Sequence, residues 1–169
     1  MVGKIRIQDL LKAGNVVNAL SQQVSWGRQK EQWLHGVLFG YLEAEFGHME
    51  SEYHPDGGRR RIDFRHGVSN PTLIELVVRR HGAEQSRRQN DAELRKLSRV
   101  PHSRAKSRFL LILDPHSKNP IREEVISASY RSQGPGRGRP PKGGWNPVRV
   151  IYVHPKKHYS FIWPKKSGY

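Results

Sequence analysis

The chain of 169 residues contains no cysteine. This absence excludes disulfide bonds, thiolate zinc sites and cysteine nucleophiles. Long apolar runs are also absent: none reaches the roughly 18 residues that cross a bilayer, and Asp9, Lys12 and Asn15 interrupt the hydrophobic residues of the amino terminus. We therefore expect a protein without a membrane partner that works in the cytoplasm, on the nucleoid if the source is bacterial.

Acidic residues are scarce, with 15 Asp and Glu against 30 Lys and Arg, which gives a formal charge of +15. Hydrophobic residues make up 35% of the chain, enough to build a core and to argue against wholesale disorder. A positive charge of this size predicts a polyanionic partner, because each phosphate that Lys or Arg neutralises releases condensed counterions. We expect double-stranded DNA first, with RNA as an alternative that charge does not distinguish from it.

The basic residues are concentrated in two segments of the second half, residues 79–108 and 120–169, whereas residues 1–58 are slightly acidic. The length favours a single domain. We divide the chain into a helical extension over residues 1–29 and a main domain over residues 30–169.

Apolar residues recur at helical spacing between Lys30 and Phe46, and Gly47 supplies a stop. Trp33, which follows this spacing, is expected in the core. One or two short helices are predicted around Ile7 to Gln22, with Gly14 as a break, and they should pack on the core rather than form a DNA-reading helix-turn-helix.

Six extended segments and two further helices complete the predicted elements. The strands are expected at Met49–His54, Arg60–His66, Thr72–Arg79, Arg108–Asp114, Val148–His154 and His158–Trp163. The helices are expected at Ala83–Val100, with a strongly basic exposed face, and from Pro120 to Tyr130. This order predicts an α/β fold, a sandwich of helices around a mixed sheet.

Two carboxylates lie on neighbouring predicted strands, Asp63 in RIDF and Glu75 in IELV. The period of two places Ile62 and Phe64 on one face and Asp63 on the other. Glu75 interrupts an otherwise apolar strand, which is costly unless something pairs with it. A hairpin would bring both carboxylates to one face, where their oxygens suit Mg²⁺.

Ordinary ion pairs are the alternative interpretation of these carboxylates. Asp63 would pair with Arg61 or Arg65 at the surface, and Glu75 would pair with Arg79. Spacing alone does not decide between the two interpretations.

From Lys30 to Asp114 the sequence resembles the PD-(D/E)XK nuclease superfamily, on the motif residues Asp63 and Glu75. The resemblance implies a restriction-endonuclease-like three-layer sandwich with a mixed central sheet flanked by helices. It also implies a DNA endonuclease that uses Mg²⁺ (or Mn²⁺), held by Asp63 and Glu75 and assisted by a helix acid, Glu31 or, as a second choice, Glu45.

The chain departs from that family at the third motif position, where Val77 stands in place of lysine. Valine can neither carry charge nor donate a hydrogen bond, so a catalytic role would need another cation. Three candidates are Arg79 on the same strand, Arg61 beside the aspartate, and Lys96 on the following helix. Of these, a lysine that has moved to Lys96 is the most interesting, because an ammonium can change its pKa whereas a guanidinium hardly deprotonates.

Residues 133–144 read QGPGRGRPPKGG, a basic loop rich in glycine and proline. Its centre resembles the AT-hook, a short motif that lies in the minor groove of A·T-rich DNA. A narrow minor groove attracts inserted arginines, and a glycine between them permits close approach. The residues predicted to make these contacts are Arg137, Gly138, Arg139, Pro140 and Lys142. A nonspecific, flexible phosphate-binding loop is the alternative.

Further DNA contacts are expected from cations that touch phosphates. These are Arg87, Arg88 and Arg95 on the basic helix, and Lys156 and Lys157 beside the last strand. Two of the nine histidines, His66 and His81, lie near the ends of the carboxylate strands and are weaker site candidates. Trp145 would either stack on a base or anchor the basic loop.

Two functions from different classes fit these patterns. The first is a Mg²⁺-dependent DNA endonuclease, for which a homodimer would let two copies cut both strands. The second is a noncatalytic DNA-binding protein that kept the nuclease fold without the lysine.

Overall fold

The computed structural model describes residues 4–24, 30–55, 57, 61–79, 92–132 and 145–164. The helices are α1 (Ile7–Ser21), α2 (Lys30–Phe46), α3 (residues 92–98) and α4 (Glu123–Ser132). The strands are β1 (Met49–Tyr53), β2 (Ile62–His66), β3 (Thr72–Val78), β4 (Ser107–Leu113), β5 (Val148–His154) and β6 (Lys157–Trp163). All six predicted strands are therefore present, with bounds that differ by at most two residues.

The strands form one mixed sheet in the order β1-β2-β3-β4-β5-β6. The central strands β3, β4 and β5 run parallel, and the outer pairs are antiparallel. A cluster of buried side chains with α1 and α2 covers one face, and a second cluster with α3 and α4 covers the other. The predicted α/β class and helix-flanked mixed sheet are confirmed.

Helix α2 has the predicted bounds and the predicted stop. Leu34, Leu38 and Leu42 are fully buried at spacings of four residues, and Gly47 follows at φ +64°. Trp33 is 41% exposed, so its assignment to the core is wrong. The reason is geometric: Leu34 already faces the sheet, and a residue one step earlier lies about 100° around the helix.

Helix α1 is one continuous helix, so the prediction of a break at Gly14 is wrong. An added Cβ on Gly14 would lie 3.0 Å from a side-chain carbon of Val153. The glycine permits close packing of α1 on β5 instead of interrupting the helix. Asn18 strengthens the same contact, because its amide donates to the Val153 carbonyl at 2.9 Å. This packing also rules out a DNA-reading role for the buried side of α1.

Candidate functional site

Glu75 lies in the middle of β3 and is only 1% exposed. The strand is buried along its whole length because β2 and β4 flank it and helices cover both faces. The neighbouring residues Leu73 and Val77 share the face of Glu75 and pack in the cluster under α3. The structure therefore places a carboxylate within an apolar layer, which is the environment the sequence indicated.

Asp63 is held close to Glu75 at the point where the β2–β3 hairpin opens. The register pairs Phe64 with Ile74, and its continuation sets Asp63 opposite Glu75. The regular pairing with β3 stops at Phe64, and the free N–H of Leu76 donates to Asp63 Oδ2 at 2.8 Å. The aspartate carboxylate thus replaces a backbone acceptor, which fixes its orientation.

The regular alternation of side chains along β2 is interrupted at Asp63. Ile62 packs in the cluster under α3, whereas Phe64 packs in the cluster under α1 and α2. The prediction that Ile62 and Phe64 share a face is therefore wrong. Alternation holds only in a regular strand, and the opening of the ladder at Asp63 interrupts it.

Lys96 on α3 brings an ammonium group to Glu75. Its Nζ lies 2.7 Å from Glu75 Oε1 and also contacts the carboxylate of Glu93. Glu93 precedes Lys96 by three residues, so both side chains lie on one face of α3. Val77 itself is fully buried. An ammonium therefore approaches the glutamate from the covering helix and not from the strand.

Three carboxyl groups lie near one another here: Lys96 contacts those of Glu75 and Glu93, and Asp63 acts electrostatically on Glu75. Burial raises the pKa of Glu75 well above its usual value, and the charges of Asp63 and Glu93 raise it further, against the opposing effect of Lys96. Burial lowers the pKa of Lys96, but the carboxylates of Glu75 and Glu93 outweigh that effect, so its pKa is raised. Lys96 is thus cationic, whereas burial and the neighbouring carboxylates favour the neutral form of Glu75.

The three arginines that the sequence offered as partners of Asp63 and Glu75 pair with other carboxylates. Arg61 pairs with Glu52 and Arg65 with Glu50, each at 2.9 Å. Arg79 Nη1 lies 3.7 Å from Asp114 Oδ2, at the carboxyl end of β3. Of the three substitute cations, Lys96 is therefore the one that contacts Glu75.

An open cleft of about 630 Å³ leads to Asp63 between α2 and the β1–β2 hairpin. Glu31 and His35 of α2 line this cleft together with Asp63, and His35 Nδ1 lies 3.9 Å from Asp63 Oδ2. The first-choice helix acid Glu31 thus shares the cleft with the aspartate. Glu45 is exposed and is not among the residues that line it.

The donors are of the type that a divalent cation uses. Asp63 and Glu75 supply hard carboxylate oxygens, and a cation bound beside Glu75 would favour its charged form against the burial that raises its pKa. No group of three or more His, Asp or Glu in the described part of the chain is arranged to hold a metal by itself.

A buried polar network at the carboxyl ends of β3, β4 and β5 was not predicted. Asp114 accepts hydrogen bonds from the hydroxyls of Tyr152, at 2.7 Å, and Ser117, at 2.5 Å. Burial and the bond to Asp114 raise the pKa of Tyr152 far above its ordinary value. His154 bonds through Nε2 to the Ser117 carbonyl at 2.8 Å. These groups satisfy one another's hydrogen-bonding capacity, so we assign them a structural role.

The structure locates some of the predicted DNA contacts. Arg95 is partly exposed on α3, next to Lys96. Lys156 and Lys157 are exposed at the β5–β6 turn, where Lys156 Nζ donates to the Lys118 carbonyl at 3.2 Å. The remaining candidates lie outside the described residues: Arg87, Arg88, His81 and the AT-hook-like loop with Arg137, Gly138, Arg139, Pro140 and Lys142.

Trp145 anchors the end of the basic loop on the protein. Its ring packs against Trp163 at a centroid distance of 6.0 Å, and the guanidinium of Arg99 lies 5.4 Å from its centroid. The next residue, Asn146, donates two hydrogen bonds of 3.0 Å to the Ser98 carbonyl at the end of α3. Trp145 and Asn146, which directly follow the basic loop in the sequence, therefore lie against the end of the helix that carries Lys96.

Comparison with known family models, curated proteins and solved structures finds no match to this chain. No described helix is long and apolar enough to cross a membrane.

Proposed function

We propose that the protein is a Mg²⁺-dependent DNA endonuclease of the PD-(D/E)XK type, in which Lys96 of α3 replaces the lysine missing at position 77. One observation carries the proposal: the Lys96 ammonium lies 2.7 Å from Glu75, which itself lies opposite Asp63 in the β2–β3 hairpin. The family resemblance on Asp63 and Glu75 supplies the reaction class. The order of helix, three strands, helix and strand around a mixed sheet is consistent with a restriction-endonuclease-like fold.

Asp63 and Glu75 would hold the metal, with Glu31 of the adjoining cleft as an assisting acid. Bound Mg²⁺ lowers the pKa of its water and stabilises charge on a phosphate. Lys96 holds the Glu75 carboxylate in place and offers its N–H groups to negative charge that develops on the substrate. Since its pKa is raised, Lys96 acts as a cationic donor and not as a base.

The basic surface would hold the DNA. Arg95 lies one residue before Lys96, and Trp145, which directly follows the basic loop in the sequence, lies beside the end of α3. Phosphates bound there would lie close to the carboxylates. A homodimer would place two such sites on the two strands of a duplex.

A noncatalytic DNA-binding protein is the second candidate, and the burial of Val77 favours it. The position that carries lysine in the family is a core position here, packed with Leu94 and Leu97 of α3. On this alternative, Lys96 is only the counter-ion of a residual carboxylate.

Supercoiled plasmid incubated with Mg²⁺, Mn²⁺ or EDTA separates these two functions. The nuclease proposal requires metal-dependent nicking that is lost in Asp63→Asn and Glu75→Gln and kept in Glu124→Gln, which changes an exposed acid on α4. Plasmid that is retarded but intact under every condition would support the binding protein. Plasmid that is neither bound nor cut would contradict both.

A further inference from the structure

A second set of cations lies at the amino-terminal edge of the parallel strands. Thr72 and Ser107 begin β3 and β4 at this edge, and both line an open cavity of about 450 Å³. Lys4 and Lys106 line the same cavity, and neither ammonium forms an ion pair within the described part of the chain. Two ammonium groups without a counter-ion beside one cavity favour an anionic ligand.

The wall of this cavity includes a histidine whose hydrogen-bonding capacity is only half used. His66 is 5% exposed, and its ring donates to the carbonyl of Phe46. Its Nε2 has no hydrogen-bond partner among the described residues. Buried polar atoms are nearly always paired, so an unpaired nitrogen in a cavity wall marks a position where a ligand can bind.

The backbone around the cavity adopts an unusual conformation at three of the residues that line it. His48, Gly67 and Asn70 all have positive φ angles, of +51°, +80° and +54°. For His48 this conformation costs about 1 kcal/mol, because the Cβ atom approaches the following carbonyl oxygen, whereas asparagine adopts it more readily. Left-handed residues of this kind are concentrated at ligand sites, where the surrounding structure enforces them.

We infer that this cavity binds a phosphate group, with Lys4 and Lys106 as its principal donors and His66 as a further donor once its ring is protonated. Ammonium and imidazolium groups offer N–H donors to phosphate oxygens, and the hydroxyls of Thr72 and Ser107 add neutral donors. None of the described residues that line the cavity is acidic. The chemistry therefore selects an oxyanion over a cation or an apolar ligand.

This site is separate from the carboxylate pair and does not depend on the nuclease proposal. His66 follows Asp63 by three residues along β2, a separation of roughly 10 Å. A free phosphate compound and a phosphate of the DNA backbone share the required chemistry.

The charge state of His66 provides a local reporter of binding. In the free protein the pKa of His66 is lowered, chiefly because the ring is buried. The hydrogen bond to the Phe46 carbonyl opposes this effect, the charge of His48 lowers the pKa further, and the charge of Glu43 raises it. Lys4 and Lys106 add positive charge on the cavity side. A bound phosphate would favour the imidazolium and raise the pKa of His66, because an opposite charge stabilises the charged form.

Titration of the full chain with inorganic phosphate, followed by NMR, tests the inference. We expect saturable shifts of the His66 ring and a higher pKa of His66 in the bound protein. A Lys4→Gln/Lys106→Gln variant should weaken binding at least tenfold. A Lys12→Gln/Lys118→Gln variant, which removes the same charge from exposed positions outside the cavity, should stay within twofold.

His66 shifts that do not saturate, or an equal loss of phosphate affinity in the two double variants, would contradict the site. Phosphate binding would then reflect only the general positive charge of the surface. A short duplex then identifies the source of the phosphate. Displacement of inorganic phosphate by the duplex means that the cavity holds the DNA backbone, and simultaneous binding means that it holds a free phosphate compound. Both results sustain the phosphate site.

Discussion

Glu75 carries its carboxyl group in an environment that disfavours a charge. It is buried beside Asp63 and Glu93, and among the described residues the ammonium of Lys96 contacts it. Replacement by glutamine keeps the shape and removes the ionisable group, and Lys96 keeps Glu93 as its partner. We expect Glu75→Gln to raise the free energy of unfolding by about 1 kcal/mol, because a buried ionisable group is replaced by a neutral one.

Urea unfolding followed by circular dichroism checks this expectation. The midpoint should rise with an unchanged slope, which indicates a change in stability and not in compactness. Glu124→Gln, at an exposed position, should leave the midpoint where it is. A lower midpoint for Glu75→Gln would mean that the Glu75–Lys96 pair stabilises the fold.

Only part of the site could be predicted from single residues. Asp63 and Glu75 could be predicted because each carboxylate interrupts a strand pattern. The Arg79–Asp114 ion pair could not, because its partners are 35 positions apart in the sequence. Lys96 was one of three candidate cations, since nothing in the sequence fixes how α3 lies on β3. Glu93 was missed, although its spacing of three residues from Lys96 is a signal that a search of helix faces would find.

At the scale of the elements, turn residues and apolar runs predicted the strands closely. A Pro or Gly lies within two residues of at least one end of every strand, and the run from Arg108 to Asp114 is apolar enough to require burial on both faces. The face change of β2 at Asp63 was not predictable, because it depends on where the pairing with β3 ends. The continuity of α1 was missed because a glycine weakens a helix in isolation, whereas its packing on β5 requires one.

Helix α1 offers a direct test of that packing. Gly14→Val should destabilise the protein by about 2 kcal/mol, because the added side chain meets Val153 and Leu113 in a filled core. Gly14→Ala should cost less, since better helix propensity offsets part of the contact. Thermal unfolding of both variants measures the effect, and a stable Gly14→Val protein would contradict the close approach of α1 to β5.

At the scale of the whole molecule, the charge of +15 is the dominant property. If several phosphates are neutralised on binding, affinity for duplex DNA should fall at least about tenfold between roughly 50 and 200 mM salt. Fluorescence anisotropy of a labelled duplex over this range gives the slope. Affinity that hardly changes with salt would contradict an electrostatic interface.

Single-turnover cleavage of a plasmid in Mg²⁺ tests whether Lys96 supplies the group missing at position 77. Lys96→Met should reduce the cleavage rate at saturating protein at least about a hundredfold. Arg95→Met, which removes a cation from the neighbouring position, should weaken DNA binding and preserve that rate. Wild-type cleavage that persists in Lys96→Met, with Asp63 and Glu75 still required, would contradict that role.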